Sequence, residues 1–462
     1  MGLKRDFENP KAIWPGGEWM KRFIFGNGAA KLSGAIALIV CLTGLALGQP
    51  NPELKDLYSK YQSGRGALNR WMSGNTPFDP AKKEDLDSLG NYCRFATKGQ
   101  TYHDRLNTGS DINSKLLLDL PDNVQKDVTQ TMVRSFESPH GAALLKAYHR
   151  TMLEQAEAVL GETRDQYVRL NVSRVLPAIG LAVGSTKRDG KAVLELKDQV
   201  DIYNRQIAAC TKLIEAASKG SPRDDAVLLY SLRGAKESML GYNQTFSLRT
   251  DREKKGLVPP DAVNEEKLLA LAASLAEKAP AWVNGATPEE LEGYRMIRRE
   301  AIRVLSASGR AKVGAISPAT VLGRILALDP TKSTYRLDEL TDAAIGLASM
   351  RPDPTYNTDL AASLVGKTLQ EFIAMYTQKS GVYASFPFVY NAARLNTALI
   401  AWDEKPPSPE IKALVTKART ALTALEKKQE PQFQETEAIQ KLRDKGYEMI
   451  KGDKSSEITF GQ

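Results

Sequence analysis

Few residues in this chain have the type and spacing that chemistry needs. There are three histidines, His103, His140 and His149. None belongs to an H-x-x-x-H pair and no C-x-x-C-H is present, whereas a zinc site needs several N, S or O ligands at close spacing. His103 and Asp104 could serve as a base and its orienting acid, but they are chain neighbours in the polar stretch from Tyr102 to Asp111. All three histidines therefore read as surface or capping residues. There is no G-x-S-x-G elbow and no S-x-x-K pair. No catalytic residue, cofactor-binding residue or metal ligand is assigned, and the chain reads as non-enzymatic.

Two segments come near a phosphate-binding loop, in which correctly spaced glycines let backbone amides cradle the anion. Gly366-Lys367-Thr368 has the right tail, but Ala361 stands where the first glycine belongs, within a helical pattern. Gly184 to Lys191 has five intervening residues and continues with Ala192. Both read as turns or helix ends. Asp353, Asn357 and Asp359 bring oxygen ligands together, but their spacing fits no EF-hand, so turn and N-cap roles suit them better. The aromatic run Tyr383, Phe386, Phe388 and Tyr390 is dense for an aromatic-poor chain. It serves either as packing between helices or as an interaction surface for a peptide or glycan.

Where the chain works is set near its start. Leu32–Leu47 carries no charge, Lys21, Arg22 and Lys31 precede it, and Ala46-Leu47-Gly48 follows with small residues. These are the parts of a secretory signal peptide cleaved after Gly48, with Met20 a more ordinary start than Met1. An uncleaved anchor and a lipoprotein bearing lipid on Cys41 are the alternatives. The apolar run is short for a bilayer span of ~20 residues, and Val40 sits where a lipoprotein usually has a small residue. The expected location is extracytoplasmic, periplasmic or secreted, with membrane contact only if the segment stays uncleaved. Six of the 63 basic and three of the 55 acidic residues lie in 1–48, which leaves the remainder at +5. Those charges are interspersed, which argues against nucleic acid as a partner. Beyond that segment only Cys93 and Cys210 remain, 117 positions apart, and they read as separate buried thiols more readily than as a bridge.

The elements that must hold these residues are helices. Apolar residues recur every three to four positions through most of the chain, and strand-like alternation is hard to find. Helices are expected over 83–98, after Pro121, over 141–160 up to Gly161, over 359–376 and over 391–402. Pro406, Pro407 and Pro409 make 403–409 a turn, and Pro409 opens a helix with the stripe Ile411, Leu414, Val415, Ala418, Leu422 and Leu425. The last dozen residues read as disordered.

One helix pattern recurs. Val168–Leu176 and Ile297–Leu305 both carry apolar residues at offsets 0, 4, 7 and 8, arginine at offsets 1 and 6, and glycine four residues after their ends. Asp225–Ala235, with small residues Ser231, Gly234 and Ala235, and Leu340–Ala348 are looser copies. Arg169, Arg174, Arg298 and Arg303 leave the apolar face and can reach acids or carbonyls of a neighbouring turn or repeat. This helix resembles the inner helix of HEAT-like repeats, especially the divergent arrays of secreted planctomycete proteins, over about residues 163 to 350. The resemblance implies an all-α superhelix of stacked helix pairs and a non-enzymatic scaffold for protein–protein contact at the cell envelope. A helical enzyme acting on glycans or peptides is the alternative. The implied division is 49–160 as added N-terminal helices, 161–405 as the repeat region, and 406–462 as a C-terminal helix and polar tail. Counted from Val168, Val227 and Ile297 as offset 0, the copies lie 59 and 70 residues apart, against ~40–47 for HEAT and armadillo units. Either unrecognised copies or insertions separate them.

Overall fold

The computed structural model describes residues 52–105, 119–135, 139–186, 190–219, 224–247, 261–279, 281–327, 334–351, 356–378, 386–433 and 440. Residues 1–51, with the Leu32–Leu47 run and Cys41, lie outside them, as do Asp353, Tyr383 and the last dozen residues. The fold is all-α. Among the described residues there is no strand, only two isolated bridges, Thr186 to Ala192 and Val313 to Ile316. No described helix is long and apolar enough to cross a membrane.

The helices are α1 (Pro52–Ser73), α2 (Lys83–Lys98), α3 (Leu120–Ser135), α4 (Pro139–Glu162), α5 (Gln166–Ser173), α6 (Val175–Gly180), α7 (Leu196–Lys219), α8 (Asp225–Ser247), α9 (Ala262–Glu277), α10 (Pro288–Ala307), α11 (Pro318–Ala327), α12 (Leu337–Ala348), α13 (Thr358–Gln378), α14 (Phe388–Ala398), α15 (Ile400–Glu404) and α16 (Pro409–Glu426). Their starts are written locally. Thr287 and Glu290 close a reciprocal capping box on α10, with N–H to oxygen distances of 2.8 and 3.3 Å. The hydroxyl of Ser408 accepts from Ile411 N at 3.2 Å while Pro409 opens α16. Asn357 accepts from Leu360 N at 3.0 Å at the head of α13, which is the N-cap role its position suggested.

The helices alternate between two rows. α1, α3, α6, α8, α10, α12 and α14 form one row, in which each helix packs on the next. The second row, α2, α4, α7, α9, α11, α13 and α16, is linked in the same way. Sequence neighbours pair across the rows, as α7 with α8, α9 with α10 and α11 with α12, and one continuous apolar core lies between them.

The four similar segments occupy successive places in the first row: α5/α6, α8, α10 and α12. Among the described residues a single second-row helix separates each from the next, and no further copy intervenes there. The first copy is not one helix, because α5 ends at Ser173 and α6 begins at Val175. The two glycines that close the pattern also differ in role. Gly309 follows α10 with φ +60, a left-handed conformation that suits glycine, whereas Gly180 is helical and lies against the Gly234 carbonyl of α8.

Candidate functional site

Among the described residues a connected set of buried ion pairs lies along the first row. On α10, Arg298 is 3% exposed. It donates Nε to Glu339 Oε1 at 2.6 Å and Nη2 to Oε2 at 2.8 Å, a bidentate pair with α12. Its other bonds reach Thr334, and its guanidinium lies 5.1 and 4.4 Å from the ring centres of Tyr294 and Tyr335. Asp342 of α12, fully buried, is shared by three arginines. Arg299 Nε and Arg303 Nε reach Oδ2 at 2.6 and 2.8 Å, and Arg394 Nη1 of α14 reaches Oδ1 at 2.6 Å. Glu300 of α10 accepts from Arg303 Nη1 at 2.8 Å and from Arg233 Nε of α8 at 3.2 Å, with Lys236 Nζ at 3.7 Å. The seam thus joins α8, α10, α12 and α14.

Burial alone would raise both carboxyls. For Glu300, Lys236, Arg303 and Arg233 outweigh burial and hold the group at about 2. For Asp342, Arg303, Arg299 and Arg394 hold it well below the usual carboxylate range. A carboxylate kept ionised by fixed guanidiniums neither gives nor takes a proton near neutrality. Its chemistry is electrostatic bracing between successive helices.

The arginines picked out by spacing fall at comparable places. Arg169 donates Nη1 to the carbonyls of Leu160 and Thr163 at 2.5 and 2.7 Å and pairs through Nε with Asp224, just before α8. Arg298 and Arg169, at the same offset, therefore both reach the start of the next first-row helix. Arg303 and Arg233, at offset 6 of their copies, both reach an acid on the next first-row helix. Arg174 occupies the junction of α5 and α6 and is half-buried. The aromatic run divides. Phe388 is buried, with its ring 5.3 Å from those of Phe372 and Tyr376, and half-buried Phe386 lies 4.6 Å from Phe388. Tyr390 is 59% exposed and carries the Arg394 guanidinium 5.6 Å from its ring centre. Gly366-Lys367-Thr368 lies inside α13.

The reading of His149 as a surface or capping residue is wrong. It is fully buried between α4 and α7, where Nε2 meets Gln206 Oε1 at 3.0 Å. Burial pushes its imidazole down to about 4. Leu145 and Leu153, four residues to either side, are buried, so the apolar stripe already contained this position. His140 is exposed. The beginning of the polar stretch at Tyr102 is no plain loop, because Gly99–Arg105 winds into 3-10 turns with a kink at Tyr102. Cys93 and Cys210 are both buried free thiols, not a bridge.

Two further polar clusters carried no motif in the sequence. Asp127 of α3 accepts from the hydroxyls of Tyr92 and Tyr148, the latter at 3.1 Å. Burial raises its carboxyl to about 6 against the lowering effect of those bonds. Glu265 of α9 is buried and pairs with Arg310 beyond α10. Each unites residues far apart in the chain, so only the tertiary arrangement reveals it. Among the described residues no group of three or more His, Cys, Asp or Glu side chains could hold a metal.

Comparison with known proteins finds no matching family model, no similar curated protein and no similar solved structure.

Proposed function

We propose that this chain is a non-enzymatic, exported helical scaffold of HEAT-like type, whose first row of helices presents a surface to protein partners at the cell envelope. The single observation that carries the reading is the placement of the four similar segments at successive first-row positions, each reaching the next through arginine–acid or small-residue contacts. Stacked helical units of this kind bury one face against their neighbours and leave a long surface for binding. Exposed apolar side chains favour the same row: Val133, Leu240, Met296, Val389 and Tyr390 stand on α3, α8, α10 and α14. The carboxylates of Asp342 and Asp127 are engaged by the chain's own arginines and tyrosines, which weighs against the enzyme reading. The segment Leu32–Leu47 supplies the export signal, with cleavage after Gly48.

Two measurements test the proposal. N-terminal sequencing of the mature protein after fractionation is expected to begin at Gln49 in an extracytoplasmic fraction. A photo-crosslinking residue at Leu240 or Met296 in living cells is expected to trap a protein partner, while one at Val263, exposed on the second row, is not. Recovery of the chain in the cytoplasm with residues 1–48 retained would refute export. Equal trapping from both rows, or from neither, would refute the scaffold surface.

A further inference from the structure

Between α8 and α14 a group of cations lies above partner acids that are more deeply buried than they are. Glu300 and Asp342 are 3% and 0% exposed, whereas the side chains of Arg233, Lys236, Arg299, Arg303 and Arg394 are 16–27% exposed. Glu300 and Asp342 therefore lie beneath these cations, while two further acids that pair with them, Glu237 with Lys236 and Asp338 with Arg299, are 29% and 22% exposed. Each guanidinium has five N–H donors in a planar fork. Arg299 spends Nε on Asp342 and Nη1 on Asp338, and Arg303 spends Nε on Asp342 and Nη1 on Glu300. Their forks are immobilised from below, so ordering them on binding costs little further side-chain entropy. At one end, Tyr390 stands exposed against Arg394, and Met296 is exposed on α10 between the two ends.

We infer that this strip, from Arg233 and Lys236 on α8 through Arg299 and Arg303 on α10 to Arg394 and Tyr390 on α14, binds an extended acidic peptide segment of a partner protein. The inference rests on the scaffold reading and names the chemistry of the partner. Helices pack about 8–10 Å apart, so the three steps from α8 to α14 cover roughly 25–30 Å, the length of eight or nine extended residues at about 3.3 Å each. Carboxylates spaced along such a segment match the arginine forks, and an aromatic or aliphatic residue among them matches Tyr390 and Met296. A peptide fits better than a densely sulfated glycan, because Glu237 and Asp338 interrupt the strip and would oppose a continuous anionic chain.

The test is fluorescence anisotropy of the whole protein with a labelled peptide of about ten residues, rich in Glu and Asp and carrying one Phe. Its counterpart with Gln and Asn in place of the acids and a sulfated polysaccharide, heparin, serve as the comparison probes. The acidic peptide is expected to bind, to weaken with added salt, and to outcompete the neutral one by at least about tenfold. Arg299→Gln with Arg394→Gln is expected to lower affinity about tenfold, and Tyr390→Ala about fivefold with an unchanged unfolding midpoint. Should the double arginine variant fail to fold, Tyr390→Ala and Lys236→Gln decide the matter. Absence of peptide binding, equal binding of the neutral peptide, insensitivity to Tyr390→Ala and Lys236→Gln, or binding of heparin in place of the peptide overturns the inference. Partner trapping from Leu240 and Met296 in cells together with no acidic-peptide binding would retire the inference and leave the scaffold standing.

Discussion

Asp342 is shared by three guanidiniums, and that sharing sets how the chain answers to substitution and to acid. In Asp342→Asn the arginines stay in place without their counter-charge, and breaking a buried pair from one side costs about 3–5 kcal/mol. Urea unfolding should register that loss, and a change under about 1 kcal/mol would show that water already screens the cluster. Acid acts through the same groups. Glu300 and Asp342 titrate below their unfolded values, so their contribution is complete above about pH 4.5 and is lost as pH falls toward 2. Asp127 has the opposite sign. Raised to about 6 chiefly by burial, it favours the folded state below about pH 4, and that advantage disappears as pH rises through 6. His149, held down to about 4 by burial, works against Asp127 in this window, because the folded state resists the proton that the unfolded chain accepts below about pH 6.5. Comparing Asp127→Asn with the parent isolates one from the other. The variant should gain stability relative to the parent as pH rises from 4 to 7, and a flat difference across that range would remove Asp127 from the account.

The helices themselves hinge on where small residues allow close approach. A Cβ on Gly241 of α8 would stand 2.5 Å from Gly184 N and 2.7 Å from its Cα, just beyond α6. Both neighbours are backbone and cannot swing aside, so Gly241→Ala should destabilise by about 1–3 kcal/mol despite alanine's better helix propensity. Gly90, inside α2, has nothing within 4 Å of its Cβ position. Gly90→Ala should therefore stabilise by about 0.5–1 kcal/mol. Thermal melts of the two variants are expected to shift in opposite directions, and a shared direction would mean that propensity or packing alone governs these helices. This contrast also marks what the amino-acid order discloses. The apolar stripes, Pro121, Pro409 and the small residues of α8 told where helices run and where they crowd, since those are matters of three- and four-residue spacing. The break at Arg174 was hidden, because both of its flanks keep the helical pattern. So were the acids that receive the arginines. Glu339 lies 41 positions from Arg298, and Asp342 lies 39 from Arg303, so which acids meet which arginines follows only from the order in which the rows stack. For His149 the polar type points to the surface and the spacing from Leu145 and Leu153 to the core, and the spacing is the better guide.

Among the described helices, contacts run mainly from each helix to its pair across the rows and to its neighbour in its own row, so the two ends of the rows are joined through intermediates. In such arrays stability resembles a sum of local terms and neighbour interfaces, and opening events should be regional. The seam modifies this expectation between α8 and α14. Asp342 is bonded by helices on both sides of it and Glu300 connects α8 to α10, so losing one acid loosens four first-row helices together. The N-terminal end is held differently. There α1 and α2 meet through Tyr61, Tyr92 and Phe95, and a side chain on Gly64 would collide with the Ser88 carbonyl. Hydrogen exchange read by mass spectrometry separates the two regimes. Gly64→Val is expected to lower protection in α1 and α2 while α10, α12 and α14 keep theirs, because no direct contact carries the disturbance so far. Asp342→Asn is expected to lower protection in α8, α10, α12 and α14 together while α1 and α2 remain as they were. Uniform loss along the chain in both variants would mean that the rows unfold as one cooperative body, and loss confined to α12 in Asp342→Asn would mean that the seam braces single helices and does not couple them.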